Sequence, residues 1–312
     1  MTADITPLIA PWGRFSLYTF YLDAEQPAVI DTGIAGTPTD GMTPELAKLG
    51  RRVEDIRWIL LTHGHVDHLG GAHALWEKTG RRAKVVIHED DLTYLQSRRA
   101  HVDNYLALRD RYIDNPDAEA EQTAMAERAI SGEMTADVVV RGGESLDLGG
   151  GVTVSVVHTP GHSQGSVAYV VDGQNDVFVG DAVQIHGAAN GFPGYEDPTA
   201  YRASLAKILA LAPERMYLGH PYRTGRGVPY PVILDRDTAE QAVRESLAIE
   251  ERIRTVAEEA FARGLRETDS PYSPFAEIAA ALGYEGDPTL EPSPFFTTLE
   301  GYRRRYEGET AE

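Results

Sequence analysis

Ten residues, Thr62-His63-Gly64-His65-Val66-Asp67-His68-Leu69-Gly70-Gly71, restrict what this chain can become more than any other feature of it. They follow the apolar run Trp58-Ile59-Leu60-Leu61 and lead into a helical pattern, so a buried strand ends on a cluster of cation-binding side chains. In extended backbone alternate side chains share a face, which lets His63 and His65 grip one cation. Asp67 and His68, where the chain turns into the helix, can present a carboxylate and an imidazole to a second. Two divalent ions about 3.5 to 4 Å apart pull down the pKa of a water between them, and that is hydrolytic chemistry. A solvated loop is a poor account of three histidines and an aspartate packed so tightly against a strand end.

Composition narrows the ligand chemistry further. The chain of 312 residues has no cysteine, so any metal is held by imidazole and carboxylate, and there is no disulfide framework or thiolate nucleophile. A formal charge of −19 opposes binding to a phosphate backbone and disfavours nucleic acid as a partner. No apolar run approaches the roughly 18 to 20 residues of a membrane-spanning helix, the richest being Leu205 to Ala212 with Lys207 inside it. The N-terminal segment lacks a cationic patch followed by an apolar stretch of secretory length, so a cytoplasmic protein is expected.

The first 90 residues read as β-β-α-β-α-β: strands at FSLYTFYL, AVIDTG, RWILLT and KVVIH, with helices at Thr43 to Leu49 and Gly71 to Lys78. Thr43 as cap, Pro44 at the first position and Gly50 beyond the end delimit the first helix. From about 90 to 135 apolar positions recur at helical spacing, broken at Asn115-Pro116, which reads as a helical insertion. The runs DVVV, GVTVSVVHT, SVAYVV and DVFVGD are expected to build a second, antiparallel-rich sheet. A helix from Asp197-Pro198 to about Leu211 and the strand RMYLG complete an α/β layer. Beyond Asp235 helices are expected at Thr238 to Ala262 and Pro274 to Leu282, ahead of a Pro-rich, Arg-containing tail. Ala239, Val243, Leu247 and Ile249 to Ile253 give the first of these an apolar face, suited to the chain's own core or to homo-oligomer formation.

At Thr62 to Gly71 the sequence resembles the metallo-β-lactamase-fold hydrolases, whose signature THxHxDHxGG it matches. The resemblance continues in family order through Ile30-Asp31-Thr32-Gly33, Thr159-Pro160-Gly161-His162-Ser163-Gln164-Gly165, Gly180-Asp181 and Gly219-His220. It implies a four-layer αβ/βα sandwich of two mixed sheets with the metals at one edge. It also implies that His63, His65 and His162 hold one metal, Asp67, His68 and His220 the other, and that Asp181 bridges both. Such donors suit zinc, with iron or manganese possible. Asp67 is then the catalytic carboxylate that orients the attacking water, and Asp31 and Thr62 support the ligand loops by hydrogen bonds. Residues 1–235 are expected to form the catalytic domain, with the insertion as a cap, and 236–312 a helical C-terminal extension.

The implied activity is metal-dependent hydrolysis of an ester, lactone or thioester carbonyl of a small molecule. The antibiotic-hydrolysing relatives are exported and commonly place a cysteine where Asp181 stands. Acyl-homoserine lactonases carry an aromatic hydroxyl just after the bridging aspartate, where this chain has Ala182-Val183-Gln184, and glyoxalase II-like thioesterases have a second histidine where it has Ser166. A mononuclear-iron persulfide dioxygenase, a phosphodiesterase or nuclease, and a catalytically silent ligand-binding relative are the alternatives. Aromatic and cationic residues of the insertion (Tyr94, Arg98, Arg99, Tyr105, Arg109, Tyr112), with Phe192, Tyr195, Tyr222, Arg223 and His186, are candidates for the substrate pocket. His73, His88 and His101 are expected to be structural, and His158 to support the ligand loop it precedes.

Overall fold

A computed structural model describes residues 2–13, 15–188, 191–289 and 293–311. Twelve strands among these form two six-stranded mixed sheets. The first holds β1 (Asp4–Trp12), β2 (Phe15–Asp23), β3 (Ala28–Ile30), β4 (Trp58–Leu60), β5 (Lys84–His88) and β6 (Val138–Val140) in sequence order. The β1, β2 and β3 neighbours run antiparallel, and β3 to β6 run parallel. The second holds β7 (Ser145–Asp147), β8 (Thr153–His158), β9 (Val167–Val171), β10 (Asp176–Gly180), β11 (Arg215–Leu218) and β12 (Ile233–Asp235), with only β10 and β11 parallel.

The helices are α1 (Thr43–Lys48), α2 (Val66–Leu69), α3 (Ala72–Lys78), α4 (Leu92–Gln96), α5 (Arg98–Tyr112), α6 (Ala118–Ala129), α7 (Pro198–Leu211), α8 (Arg236–Arg263), α9 (Ala276–Leu282) and α10 (Pro294–Ala311). Both sheets are buried on their inner faces, where Phe20, Leu60 and Val86 meet Val154, Tyr169, Phe178 and Tyr217 in one apolar cluster. Helices α1 and α3 pack Leu46, Ala72 and Leu75 against the outer face of the first sheet, with Val29, Ile59 and Val85. Helices α7 to α10 cover the outer face of the second, around Val177, Val179, Met216 and Leu218. The result is the expected four layers, helix-sheet-sheet-helix, each sheet burying both faces. Ala239, Val243 and Ile253 of α8, Ile278 of α9 and Phe295 of α10 belong to the same apolar cluster as β10 and β11.

Four local expectations need correction. DVVV belongs to the first sheet, not the second: Val138–Val140 pairs parallel with Val86–His88. A parallel neighbour needs a long crossover, and the helical stretch α4 to α6 is that crossover between β5 and β6. The N-terminal segment forms β1 despite Pro7 and Pro11, which an edge strand tolerates. The first helix starts at Thr43 as expected, but a π-turn at Pro38–Met42 runs straight into it, so the Thr43 hydroxyl donates back to the Pro38 carbonyl instead of capping. The Pro-rich tail is helical from Pro294, and within it Gly301 lies where a Cβ would stand 2.4 Å from the Glu196 carbonyl.

Candidate metal centre

The strands aim one edge of the sandwich at a single point. Asp31 follows β3, Thr62 to His68 follow β4, His162 follows β8, Asp181 follows β10 and His220 follows β11. The edge of an α/β sheet beyond its strand ends is where such folds place their chemistry. Two bonds tie the sheets together there: Val167 N–H to the Thr62 carbonyl at 2.8 Å, and the Tyr169 hydroxyl to the Leu61 carbonyl at 2.8 Å.

Seven side chains converge at that edge. His63, His65 and His162 bring one donor atom each within 4.8 Å of one another, and so do Asp67, His68 and His220. The carboxylate of Asp181 lies between the sets: Oδ2 is 3.5 Å from His162 Nε2 and 3.4 Å from His220 Nε2, while Oδ1 is 3.5 Å from His68 Nε2. The facing Nε2 atoms of His68 and His220 are 3.3 Å apart, and Asp67 Oδ2 is 3.2 Å from the latter. Gly219 leaves room for this approach, because a Cβ there would stand 2.2 Å from Asp181 Oδ1 and 2.9 Å from the His68 ring.

The ring protons follow from the partners. Asp31 Oδ2 accepts from His68 Nδ1 at 2.8 Å and from the Thr62 hydroxyl at 2.8 Å, and Oδ1 accepts the Thr62 N–H at 2.7 Å. With its proton given to Asp31, the Thr62 hydroxyl offers only lone pairs to His63 Nδ1 at 3.1 Å, so that nitrogen is the donor. The Gly194 carbonyl, 2.6 Å from His162 Nδ1, likewise only accepts. In all three rings the Nδ1 proton is committed and Nε2 faces the centre, the arrangement that fixes a metal-ligating imidazole.

The donor set fits metal ions on the structure's own terms. His63 Nε2, His162 Nε2 and Asp181 Oδ1 are buried polar atoms with no hydrogen-bond partner, a costly state that a cation relieves. Burial, reinforced by the neighbouring imidazoles, holds His63 well below the usual histidine range and lowers His65 to about 3. Burial likewise lowers His162. Burial also opposes charge on His68 and His220, but Asp181 and the other carboxylates around them outweigh it, pushing His68 well up and His220 to about 10. Against burial, the same contacts keep Asp67 and Asp181 well below the usual carboxylate range.

The candidate pocket residues are dispersed. The Tyr222 hydroxyl bonds to Asp181 and accepts from Gln184 Nε2 at 3.0 Å, so it borders the centre. Tyr195 is 0 % exposed, stacked on Tyr201 with its hydroxyl 3.0 Å from that of Tyr302, which leaves it no face for a ligand. His186 sits 3.3 Å from Glu245, and Arg223 is exposed with Nε on the Ala188 carbonyl at 2.9 Å. Phe192 packs against Tyr284 and Phe295. Within the insertion, Tyr112 stacks on Phe296 and bonds to Glu300, which also takes Arg111, while Arg98 binds the Ile130 carbonyl and Arg99 pairs with Asp103. The Arg109 side chain lies outside the described residues.

His73 lies 3.9 Å from Glu77, and His101 bonds to the Tyr94 carbonyl. A further grouping, His88, Asp90 and His158, brings donors together, and His88 Nε2 has no partner. Its two rings stack at 4.1 Å and 16°, so their in-plane lone pairs run side by side and do not converge on one ion. His88 Nδ1 accepts the Asp90 N–H, and His158 Nε2 donates to the Gln164 carbonyl.

Two contributors carry no signal in the sequence. Gln184 joins Asp181, Tyr222 and the Gly194 loop: Nε2 donates to the Asp181 carbonyl at 2.9 Å, and Oε1 accepts the Gly194 N–H at 3.1 Å. Asp91 reaches the ligand loops of both halves of the chain from a run, Glu89-Asp90-Asp91, that reads as a solvated acidic turn.

Fold and site together define a metallohydrolase. Residues 11–220 match the family model of the metallo-beta-lactamase superfamily, and the chain belongs to that superfamily. Among its relatives are a probable metallo-hydrolase of Burkholderia pseudomallei (strain 1710b), 28% identical over 72% of this chain and 73% of that protein, and the hydroxyacylglutathione hydrolase of Rhodobacter capsulatus, 26% identical over 98% and 100%. A metallo-beta-lactamase family protein from Thermus thermophilus shares the fold at a TM-score of 0.71 and 19% identity, covering 98% of this chain and 94% of its own. No helix among the described residues is long and apolar enough to cross a membrane.

Proposed function

We propose that the chain hydrolyses the carbonyl of a small acyl thioester, ester or lactone at a centre of two divalent ions, zinc foremost. The observation that carries this reading is the single carboxylate of Asp181 set between two complete donor groups, within 3.5 Å of His68, His162 and His220. In this assignment His63, His65 and His162 would hold one ion and Asp67, His68 and His220 the other, with Asp181 available to both. Two such ions supply a water activated at neutral pH and positive charge opposite a developing oxyanion.

The chain's own groups do the rest. Asp67 keeps its charge and accepts a hydrogen bond from the attacking water, orienting it. Asp31 holds the Nδ1 proton of His68 directly, and through Thr62 that of His63, away from the centre. Tyr222 and Gln184 brace Asp181 from the side of the second sheet. Thioesters come first among substrates because several relatives, that of Rhodobacter capsulatus included, are named hydroxyacylglutathione hydrolases. Residues 1–235, with α4 to α6 as cap, would be the catalytic unit and 236–312 an extension supporting it.

Elemental analysis of protein purified without chelator, followed by assay of thioesters, lactones and esters, tests the proposal. About two equivalents of zinc, iron or manganese with turnover on one of these classes is expected. A single iron with oxygen consumption, or no metal at all, overturns it.

A further inference from the structure

The loop after β4 is flanked in its sheet by β3 and β5, both parallel to it. The chain leaving β3 supplies Asp31 to one flank, and the chain leaving β5 supplies Asp91 to the other. Asp91 is 1 % exposed, and a carboxylate so buried is costly unless its lone pairs are filled. Three neutral donors fill them. Oδ2 accepts the Gly64 N–H at 2.6 Å and the Ser163 hydroxyl at 2.8 Å, and Oδ1 accepts the Gly165 N–H at 2.9 Å.

These partners are neighbours of the three histidines of one donor set. Gly64 lies between His63 and His65, and Ser163 adjoins His162. Gly165 is required by the approach of Asp91, and Gly64 by the Tyr94 ring packed beside it. A Cβ on Gly165 would stand 2.4 Å from the Asp91 carboxyl carbon, and one on Gly64 would stand 2.5 Å from the Tyr94 ring and 3.1 Å from Asp91 Cβ. The histidines come from opposite halves of the chain, His63 and His65 from the first sheet's loop and His162 from the second's. Asp91 bonds directly to both loops.

We propose that Asp91 is the positioning residue of the His63, His65 and His162 set, a carboxylate that clamps the two ligand loops in register and so sets the affinity of one of the two metal positions. The inference rests on the reading of those histidines as ligands. Asp91→Asn keeps the shape but has one acceptor oxygen, so with that oxygen facing Gly64 and Ser163 its amide N–H group opposes the Gly165 N–H. Ser163→Ala removes one of the three donors and leaves the carboxylate.

The experiment is zinc titration of chelator-stripped full-length protein against a chromophoric competitor, with unfolding of the metal-free form followed in parallel. Wild type is expected to take up two equivalents. In Asp91→Asn one equivalent keeps its affinity and the other weakens about 10- to 100-fold. Ser163→Ala weakens the same equivalent severalfold. Two equivalents at wild-type affinity in folded Asp91→Asn overturn the proposal, even with a lowered unfolding temperature, because that pattern belongs to a purely structural role. Should Asp91→Asn fail to fold, unchanged affinities in Ser163→Ala overturn it equally. A wild type that takes up no zinc overturns the ligand reading itself, and this inference with it.

Discussion

Substituting Asp31 two ways separates folding from metal binding. Asp31 is 3 % exposed, has φ +60 and accepts from the Thr62 N–H, the Thr62 hydroxyl and His68 Nδ1. In Asp31→Ala the Thr62 hydroxyl can turn elsewhere, but the Thr62 N–H and His68 Nδ1–H lose their acceptor. Each stranded donor costs about 1 to 3 kcal/mol. The left-handed backbone costs an alanine about 1 to 2 kcal/mol more. Asp31→Ala should therefore destabilise the metal-free protein by roughly 3 to 8 kcal/mol, a large share of a typical domain's stability.

Asparagine tolerates φ +60, and its oxygen can still accept the Thr62 N–H. Its amide group then faces His68 Nδ1, donor against donor, and favours the tautomer with the proton on Nε2, the atom that points at Asp181. Asp31→Asn should thus unfold near wild type, yet bind one metal equivalent about 10- to 100-fold more weakly, the range seen when a ligand's supporting hydrogen bond is lost. Chemical denaturation of the stripped protein and competitive metal titration read the two effects separately. Wild-type affinity at both positions in Asp31→Asn would refute the tautomer argument.

Other perturbations follow from the same geometry. Gly219→Ala puts a Cβ 2.2 Å from Asp181 Oδ1, so metal content should drop and kcat/KM fall about 100-fold, the scale of an ångström-sized misplacement; full metal content with full activity would contradict it. Tyr222→Phe removes a hydroxyl shared by Asp181 and Gln184 and should cost about 1.5 to 3 kcal/mol of stability along with a lowered kcat/KM, measured by denaturation and steady-state kinetics. In stripped protein, His220 at about 10 against an ordinary 6.5 stabilises fully below pH 6.5 and progressively less as pH rises toward 10. His65 at about 3 acts oppositely, its contribution present above pH 6.5 and lost as pH falls toward 3. Stability contributed by this cluster should peak near pH 6.5, and a pH series of melting temperatures that rises steadily from pH 6.5 to 10 would count against it. Metal affinity should increase with pH, because His68 and His220 must shed protons to act as ligands.

Much of the centre was legible because its signal is local. Spacing within one segment set out His63, His65, Asp67 and His68, and short motifs marked His162, Asp181 and His220. Strand alternation and helix periodicity found most elements as well. They failed where local preference and tertiary role diverge: β1 carries two prolines that only an edge position tolerates, and Gly301 in α10 serves a close approach to the Glu196 carbonyl. A β-branched run announces a strand but not its sheet, so Val138–Val140 was legible as a strand while its place beside β5 was not.

By itself, then, the sequence determined the kind of ligand, the order of the motifs and the layers to which most elements belong, because imidazole spacing and hydrophobic period are properties of neighbouring residues. The tertiary structure alone decided that Asp31 directs the protons of two histidines, one directly and one through Thr62, and that Asp91, from an unremarkable acidic run, joins both ligand loops. Those bonds span 27 to 74 positions for Asp91 and 31 to 37 for Asp31. No periodicity connects residues so far apart: the parallel order β3-β4-β5 brings Asp31 and Asp91 to the loop after β4, and the packing of the second sheet on the first brings Ser163 and Gly165 to Asp91.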